Sequence, residues 1–385
     1  MQLDKTTSIG IISINLHSLY MNYGAALHSF AFQNYLKLNG YDSVILDYES
    51  KHFNHYNLKY PFITALKRRY GLKQLIAHLI NSPSFFIKYR KFEKFYKDNC
   101  KMIDYNGRPY YYEDFINNDN KLKFPFDTAI CESDVIWSPV TSHGFDRVFF
   151  CDFNCFNDKK KIAYSPSISN TKLNAEEENE FKKLIKNFDF ISTREKETAD
   201  YVQTLTDKTV THVLDPVLLL DSDFYESYLK KPKYKNYLLV YNCTKNDSKM
   251  IRFAKKVAKK NNLKLIELSN FVRNKIDHNV ITSAGIEEFL GLIANCSMFI
   301  TNGFHGMCFA ILFKKNFVIF ERDGYDIKVK SLLETLDIKN AFIKHEMLNK
   351  DLIYERFPEI NWNKVYTKLD DMRIVSNNFI LSSLL

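Results

Sequence analysis

Between Ser297 and Leu312 the chain reads SMFITNGFHGMCFAIL, and this stretch limits the fold more than any other. Met298 to Thr301 is a short apolar run of the kind that fills a buried parallel strand. Asn302 and Gly303 interrupt it with two residue types suited to turns. Gly306 to Phe313 is apolar again and long enough for a buried helix. His305 therefore stands where a strand ends and a helix begins. In open α/β sheets ligands bind at that end of the strands. A helix N-terminus there offers N–H groups to an anion. An imidazole beside an anion subsite can act as a general acid near neutral pH. The plainer alternative is a polar residue capping a core helix.

The same alternation of short apolar runs and helical patterns recurs along the chain. Ile9 to Leu16 reads as a first strand, Ala25 to Leu38 as a helix, and Ser43 to Tyr48 as a second strand. That is a βαβ opening, which implies a parallel sheet. The loop Asn22-Tyr23-Gly24 between strand and helix is a second natural ligand position, and it lacks the GxGxxG spacing of a dinucleotide fingerprint. Phe126 to Cys131 is a third strand, with Ser133 and Asp134 at its end. Trp137 beyond them suits either a core anchor or a platform for a sugar ring. Lys161 to Ser165 and Phe188 to Thr193 are further strands, and Arg194 follows the latter at once. Arginine grips phosphate or carboxylate with a bidentate fork. The alternative for Arg194 is an ion pair, with Glu197 the nearest candidate.

At 385 residues the chain is expected to form two domains. One is an N-terminal α/β domain over 1–220. The other is a C-terminal α/β domain over 221–385 that carries His305 and ends in a helix, 361–385, placed to pack back on the first domain. No apolar run reaches the length of a membrane span, and no signal peptide is read, so the chain is expected in the cytoplasm. The seven cysteines are odd in number and scattered, which argues against a disulfide framework and against a zinc site at Cys151 and Cys155.

Charge is unevenly placed. Residues 51–110 hold 13 Lys and Arg against three acids, Glu93, Asp98 and Asp104, while the whole chain is +9. A basic aromatic insertion of this kind favours an anionic partner. It suits peripheral contact with an anionic membrane through rings and cations, or else a helical hairpin whose Lys stems snorkel over the domain edge. Stacking on nucleic acid is a third use of such a stretch, and no nucleic-acid partner is expected.

The ordered set of motifs resembles the polysaccharide pyruvyl transferase family. Asn22-Tyr23-Gly24-Ala25-Ala26-Leu27 running on to Gln33 is similar to the family's N-Y-G-A-x-L-x-x-x-A-x-Q opening. Ser133-Asp134 with Trp137 resembles its S-D-x-x-W element, Ile191 to Glu195 its I-S-x-R-E, and Asp215-Pro216 its D-P. Thr301 to Gly306 resembles its T-D-S-F-H-G, and Phe317 to Leu333 the tail in which a basic residue, here Lys328, precedes S-L-L. The resemblance implies two Rossmann-like α/β domains facing a cleft, as in GT-B glycosyltransferases. It implies transfer of a pyruvyl group from phosphoenolpyruvate to two hydroxyls of a sugar, giving a cyclic ketal and free phosphate without a metal or other cofactor. The acceptor is then a surface glycan, exopolysaccharide or capsule, or its lipid-linked precursor. His305 becomes the catalytic acid and Arg194 a donor-binding cation. Asn22, Tyr23, Gly24, Ser133, Asp134, Asn302, Gly303, Phe304, Gly306 and Lys328 become substrate-binding candidates. Two positions depart from the pattern. Gly303 stands where some members carry arginine, and Asn302 where the motif has aspartate. Lys328, Arg322 and Arg194 are candidate replacements for the missing cation. The competing readings are a GT-B-type glycosyltransferase with a nucleotide-sugar donor, and a non-catalytic protein that holds a glycan assembly complex at the membrane.

Overall fold

A computed structural model describes residues 8–17, 21–53, 55–139, 144–169, 173–243, 247–270, 278–322, 326–349 and 357–385. The chain divides into two compact units. The first comprises 1–55, 95–220 and 369–385, and the second 56–94 and 221–368.

The first unit contains β1 (Ser8–Ile12), α1 (Tyr23–Leu38), β2 (Asp42–Leu46) and β3 (Tyr48–Glu49). Two helices of the basic segment follow, α2 (Pro61–Lys67) and α3 (Leu72–Asn99). The first unit resumes with β4 (Met102–Ile103), β5 (Tyr110–Tyr111), α4 (Tyr112–Asn118), β6 (Thr128–Glu132) and β7 (Lys160–Tyr164). It continues with α5 (Ala175–Ile185), β8 (Phe190–Thr193), α6 (Lys196–Gln203) and β9 (Val210–His212). Among the described residues its main sheet has the parallel order β4-β2-β1-β6-β7-β8-β9. Chain order runs one way from β1 and the other way from β6, so the crevice for a ligand opens between the ends of β1 and β6. The abundant aromatics fill the core. Trp137 is fully buried, stacked on Phe150 at 5.7 Å and edge-on to Phe181 at 5.4 Å, so it is the core anchor.

The second unit contains α7 (Ser222–Glu226), β10 (Tyr237–Asn242), α8 (Ser248–Lys260), β11 (Lys264–Ser269), β12 (Asn279–Ile281) and α9 (Ile286–Asn295). Next come β13 (Met298–Thr301), α10 (Phe304–Leu312), β14 (Phe317–Phe320), α11 (Asp326–Thr335), β15 (Phe342–Ile343) and α12 (Trp362–Leu384). Its sheet has the parallel order β12-β11-β10-β13-β14-β15, and the strand order reverses between β10 and β13.

Two boundaries differ from the sequence expectation. β1 stops at Ile12 rather than Leu16, because the chain beyond it turns polar groups inward: Asn15 donates from Nδ2 to the Leu46 carbonyl at 3.0 Å. The basic segment forms two helices, separated at 68–71 where Arg69 takes a left-handed φ of 52°; the second runs on through Pro83 to Asn99. The basic insertion does not belong wholly to the N-terminal domain. Residues 56–94 group with the second unit, where Lys91 pairs with Glu288 at 2.5 Å and Thr282 donates to Ser84 at 2.8 Å. The end of α12, residues 369–385, groups with the first unit. There Ser376 Oγ accepts from the Leu214 N–H at 2.9 Å and Arg373 Nε donates to the Leu218 carbonyl at 2.8 Å. Among the described residues no helix is long and apolar enough to cross a membrane.

Candidate active site

His305 lies in the first turn of α10, at the point where the second sheet reverses. The local structure follows from side chains that are missing. A Cβ added at Gly303 would fall 2.5 Å from Cys243 Sγ, and one at Gly306 would fall 2.8 Å from the Tyr241 ring and 2.9 Å from Thr301 Oγ1. The absent side chains let α10 settle directly on β10 and β13. They also explain why no arginine stands at 303: Cys243 fills its space. Hydrogen bonds then stitch the crevice. Cys243 N donates to Asn302 Oδ1 at 2.8 Å, and Asn302 Nδ2 donates to Asn242 Oδ1 at 3.3 Å. Thr301 Oγ1 donates to the Tyr241 carbonyl and accepts from Gly303 N, both at 3.0 Å. Asn302 is thus a strut between β10 and β13. Phe304 meets the His305 ring edge-on at 5.2 Å, and Lys328 Nζ sits 5.8 Å from the Phe304 ring. His305 is 7% exposed.

Cations gather at this edge. Burial pushes the Cys243 thiol up, and the pull in the other direction comes from Tyr241, Arg322, Lys328 and Lys88. Lys88 belongs to α3 and had not been singled out from the sequence. Its spacing held a signal, since Phe85 and Phe92 lie three and four residues away and put Lys88 on the apolar face of the helix. Nearby, His278 Nε2 meets Glu267 Oε2 at 2.7 Å. A hollow of ≈ 490 Å³ lies at the far end of α10, against Leu312 and Lys314, and His305 does not border it.

The corresponding edge of the first sheet is built differently. Arg194 is 5% exposed and enclosed by carboxylates. Its Nε meets Glu195 Oε1 at 2.9 Å, its Nη1 Asp215 Oδ2 at 3.0 Å, and its Nη2 Asp134 Oδ1 at 3.9 Å. The ion-pair alternative therefore describes this residue, with Glu195 and Asp215 as close partners in place of Glu197. Ser133 Oγ donates to Asp215 Oδ2 at 3.1 Å. Ser133 and Asp134 both carry left-handed φ values, 54° and 53°, a strained pair at a strand end. Asn22 Oδ1 caps α1 by accepting from Gly24 N at 2.8 Å, while Tyr23 and Gly24 are buried behind it.

Two histidine–carboxylate pairs at this edge were missed from sequence. His17 Nε2 meets Asp47 Oδ1 at 2.6 Å, and His28 Nδ1 meets Glu132 Oε1 at 2.9 Å. Burial opposes a charge on His17, but the bond to Asp47 and the charges of Asp47 and Glu49 outweigh it and hold the imidazole above its ordinary value. Glu132 does the same for the fully buried His28. His17 and Asp47 both follow apolar strand runs, which was the available sign. Among the described residues no group of three or more His, Cys, Asp or Glu side chains is arranged to hold a metal ion.

Two doubly wound parallel sheets, each with polar residues at its point of reversal, define a GT-B-like transferase architecture. The crystal structure of Arabidopsis thaliana UGT89C1 complexed with quercetin aligns over 99% of this chain and 100% of its own at 9% identity and a TM-score of 0.50. A putative UDP-N-acetylglucosamine 2-epimerase from Listeria monocytogenes aligns over 98% and 95% at 11% identity and a TM-score of 0.49. Among curated proteins no match is found. The family model for polysaccharide pyruvyl transferase matches residues 22–324, and the chain belongs to that family. It is accordingly a transferase.

Proposed function

We propose that the protein moves the enolpyruvyl group of phosphoenolpyruvate onto a sugar of a surface polysaccharide or of its lipid-linked precursor, closing a pyruvate ketal. The observation that carries this reading is His305 at the N-terminus of α10, with Lys328 Nζ 5.8 Å from the ring of the neighbouring Phe304. The donor bears a carboxylate and a phosphate, so it needs cations and N–H groups around it. Its enol carbon becomes electrophilic only when the methylene is protonated. His305 gives that proton, making a methyl group and an oxocarbenium-like centre. A sugar hydroxyl attacks the centre and its proton returns to the imidazole. The C–O bond to phosphate then breaks, phosphate leaves, and the second hydroxyl closes the ring while its proton goes to phosphate or solvent. In this reading Arg194 organises the carboxylates of the first sheet, Asp134, Glu195 and Asp215, and the role of donor-binding cation passes to the second sheet.

The test is phosphate release from phosphoenolpyruvate in the presence of lipid-linked saccharide. His305→Ala is expected to lose at least about a hundredfold in rate, the usual share of acid catalysis. Near-normal turnover in that variant removes the mechanism. Consumption of a nucleotide sugar with no dependence on phosphoenolpyruvate replaces the donor and makes the protein a glycosyltransferase.

A lipid-linked acceptor accords with the outer face of α2 and α3. Leu66, Leu72, Ile76, Leu79, Ile80 and Ile87 are exposed there, beside exposed Lys67, Arg68, Arg69 and Lys73. Residues 51–92 contain no acid. Apolar side chains flanked by cations suit the surface of an anionic bilayer. The full chain is expected to co-sediment with phosphatidylglycerol-containing vesicles and not with neutral ones, and a Leu72→Ser/Ile76→Ser/Ile80→Ser variant to lose that binding. Unchanged sedimentation of the variant excludes this face as the contact.

A further inference from the structure

Two segments of the second unit lie unusually close to α9, and glycines admit them. A Cβ at Gly285, just before the helix, would fall 2.8 Å from Cβ of Lys91 on α3, and one at Gly291 would fall 1.9 Å from the Lys230 carbonyl oxygen. Two walls therefore stand against this helix. The first is α3. Its Lys88 turns inward and donates to Asn270 Oδ1 at 2.9 Å. Lys91 instead reaches to the start of α9, where its Nζ donates to the Ser283 carbonyl at 2.9 Å and to Glu288 Oε2 at 2.5 Å. The second wall is the stretch 230–234. The Lys230 N–H donates to the Glu287 carbonyl, and Lys230 Nζ to Glu288 Oε1, both at 3.0 Å. Glu288 thus ties both walls to the helix. Burial opposes its charge, but the bonds from Lys91, the Gly285 N–H and Lys230 outweigh it and hold the carboxyl below its ordinary value.

Between these walls lies a hollow of ≈ 370 Å³, inside the range of small-molecule sites, about 300–1,000 Å³. Its floor is apolar. Ala284 and Leu292 are buried there, with Ile281 and Tyr234 half-buried beside them. Its rim carries four lysines, Lys91, Lys230, Lys231 and Lys233, against the single carboxylate of Glu288. Lys91 and Lys230 are engaged with that carboxylate, and Lys231 and Lys233 are exposed. Neutral hydrogen-bonding side chains are scarce: among the described lining residues only Ser283 and Tyr234 carry one. A sugar, a base or a peptide needs such groups along its length to replace its bonds to water. A ligand with an apolar stem and charge at one end needs only what this hollow offers. His305 does not border it.

We propose that this hollow binds an amphiphilic phosphate, a single apolar chain ending in a phosphate or diphosphate, with the chain on Ala284 and Leu292 and the anion at Lys231 and Lys233. Binding of such a molecule is independent of which donor the enzyme uses. Its use as a seat for the carrier of a lipid-linked acceptor rests on the acceptor reading above.

The test is calorimetric titration of the full chain with farnesyl phosphate, inorganic phosphate and farnesol, the lipids kept below the concentration at which they form micelles. Wild type is expected to bind farnesyl phosphate at least about tenfold more tightly than either fragment, because the site joins apolar burial to charge. Lys231→Gln/Lys233→Gln, at two exposed positions, is expected to melt with wild type and to bind farnesyl phosphate about fivefold more weakly. Tyr234→Ala removes an apolar wall and no charge, so it is expected to weaken farnesyl phosphate several-fold and leave inorganic phosphate unchanged. Equal affinity for farnesyl phosphate and inorganic phosphate reduces the site to surface charge and overturns the proposal. Unchanged binding in both variants overturns it as well. The Leu72→Ser/Ile76→Ser/Ile80→Ser variant is expected to bind farnesyl phosphate as wild type does. Loss of binding there, with binding intact in the lysine variant, puts the chain on α2 and α3 and overturns this site. Wild type that does not bind farnesyl phosphate also overturns it, and leaves the donor chemistry to be judged by phosphate release from phosphoenolpyruvate.

Discussion

The two sheets place polar residues at the same topological position and charge them oppositely. At the reversal of the first sheet, Arg194 is held by Glu195, Asp215 and Asp134, and two histidines are paired with Asp47 and Glu132. At the reversal of the second, His305 opens a helix, Lys328 Nζ lies 5.8 Å from the ring of the neighbouring Phe304, and the charges of Arg322, Lys328 and Lys88 act on the Cys243 thiol. One edge is built on an arginine enclosed by carboxylates. The other holds His305 at a helix N-terminus, with Lys328 beside Phe304 and Glu267 paired to His278. A shared fold thus sets where a ligand sits, and the residues at the strand ends set which charge it carries.

Arg194 offers the sharpest way to break this contrast. Its removal leaves buried carboxylates without their cation, so Arg194→Ala is expected to cost about 3–5 kcal/mol in stability. Urea unfolding reads this directly. A variant as stable as wild type but defective in donor binding would return Arg194 to the role of a ligand cation and erase the difference between the edges. His305→Ala sharpens the contrast from the other side, because its expected loss of about a hundredfold falls on turnover. Its unfolding midpoint is expected to stay close to that of wild type.

The His17–Asp47 pair gives the smallest effect and one that depends on pH. A histidine raised above its ordinary value contributes stability that is fully present below the unfolded value, about 6.5. That contribution is lost as pH climbs through the raised folded value. His17→Asn is therefore expected to cost about 1–2 kcal/mol at pH 6, and distinctly less at pH 9. A cost independent of pH means that the pair is not held charged.

Much of the fold was legible in the chain itself. The strand–turn–helix at 298–313 is read directly from two apolar runs and a two-residue break, and His305 follows from it as the group at the strand end. Strand β13 lies where its apolar run put it, over 298–301. The partners of Arg194 were not legible. Asp134 and Asp215 are far from it in sequence and meet it only because β6 and β8 end at the same edge of one sheet. The destination of Lys88 was hidden for the same reason. Its apolar flanks predict burial, but nothing local says that the helix presents it to Asn270 and Cys243.

The sequence by itself determined two α/β units, parallel sheets, the place of His305 and a strongly basic segment, because each of these is written in periodicity, turn chemistry or charge within a short window. Only the tertiary structure decided which cation is locked in ion pairs and which stands beside the acid. It also divided the basic segment between an exposed apolar face and a buried lysine. Those outcomes depend on which distant strand ends become neighbours and on how much water is excluded between them, and neither quantity is a local property of the chain.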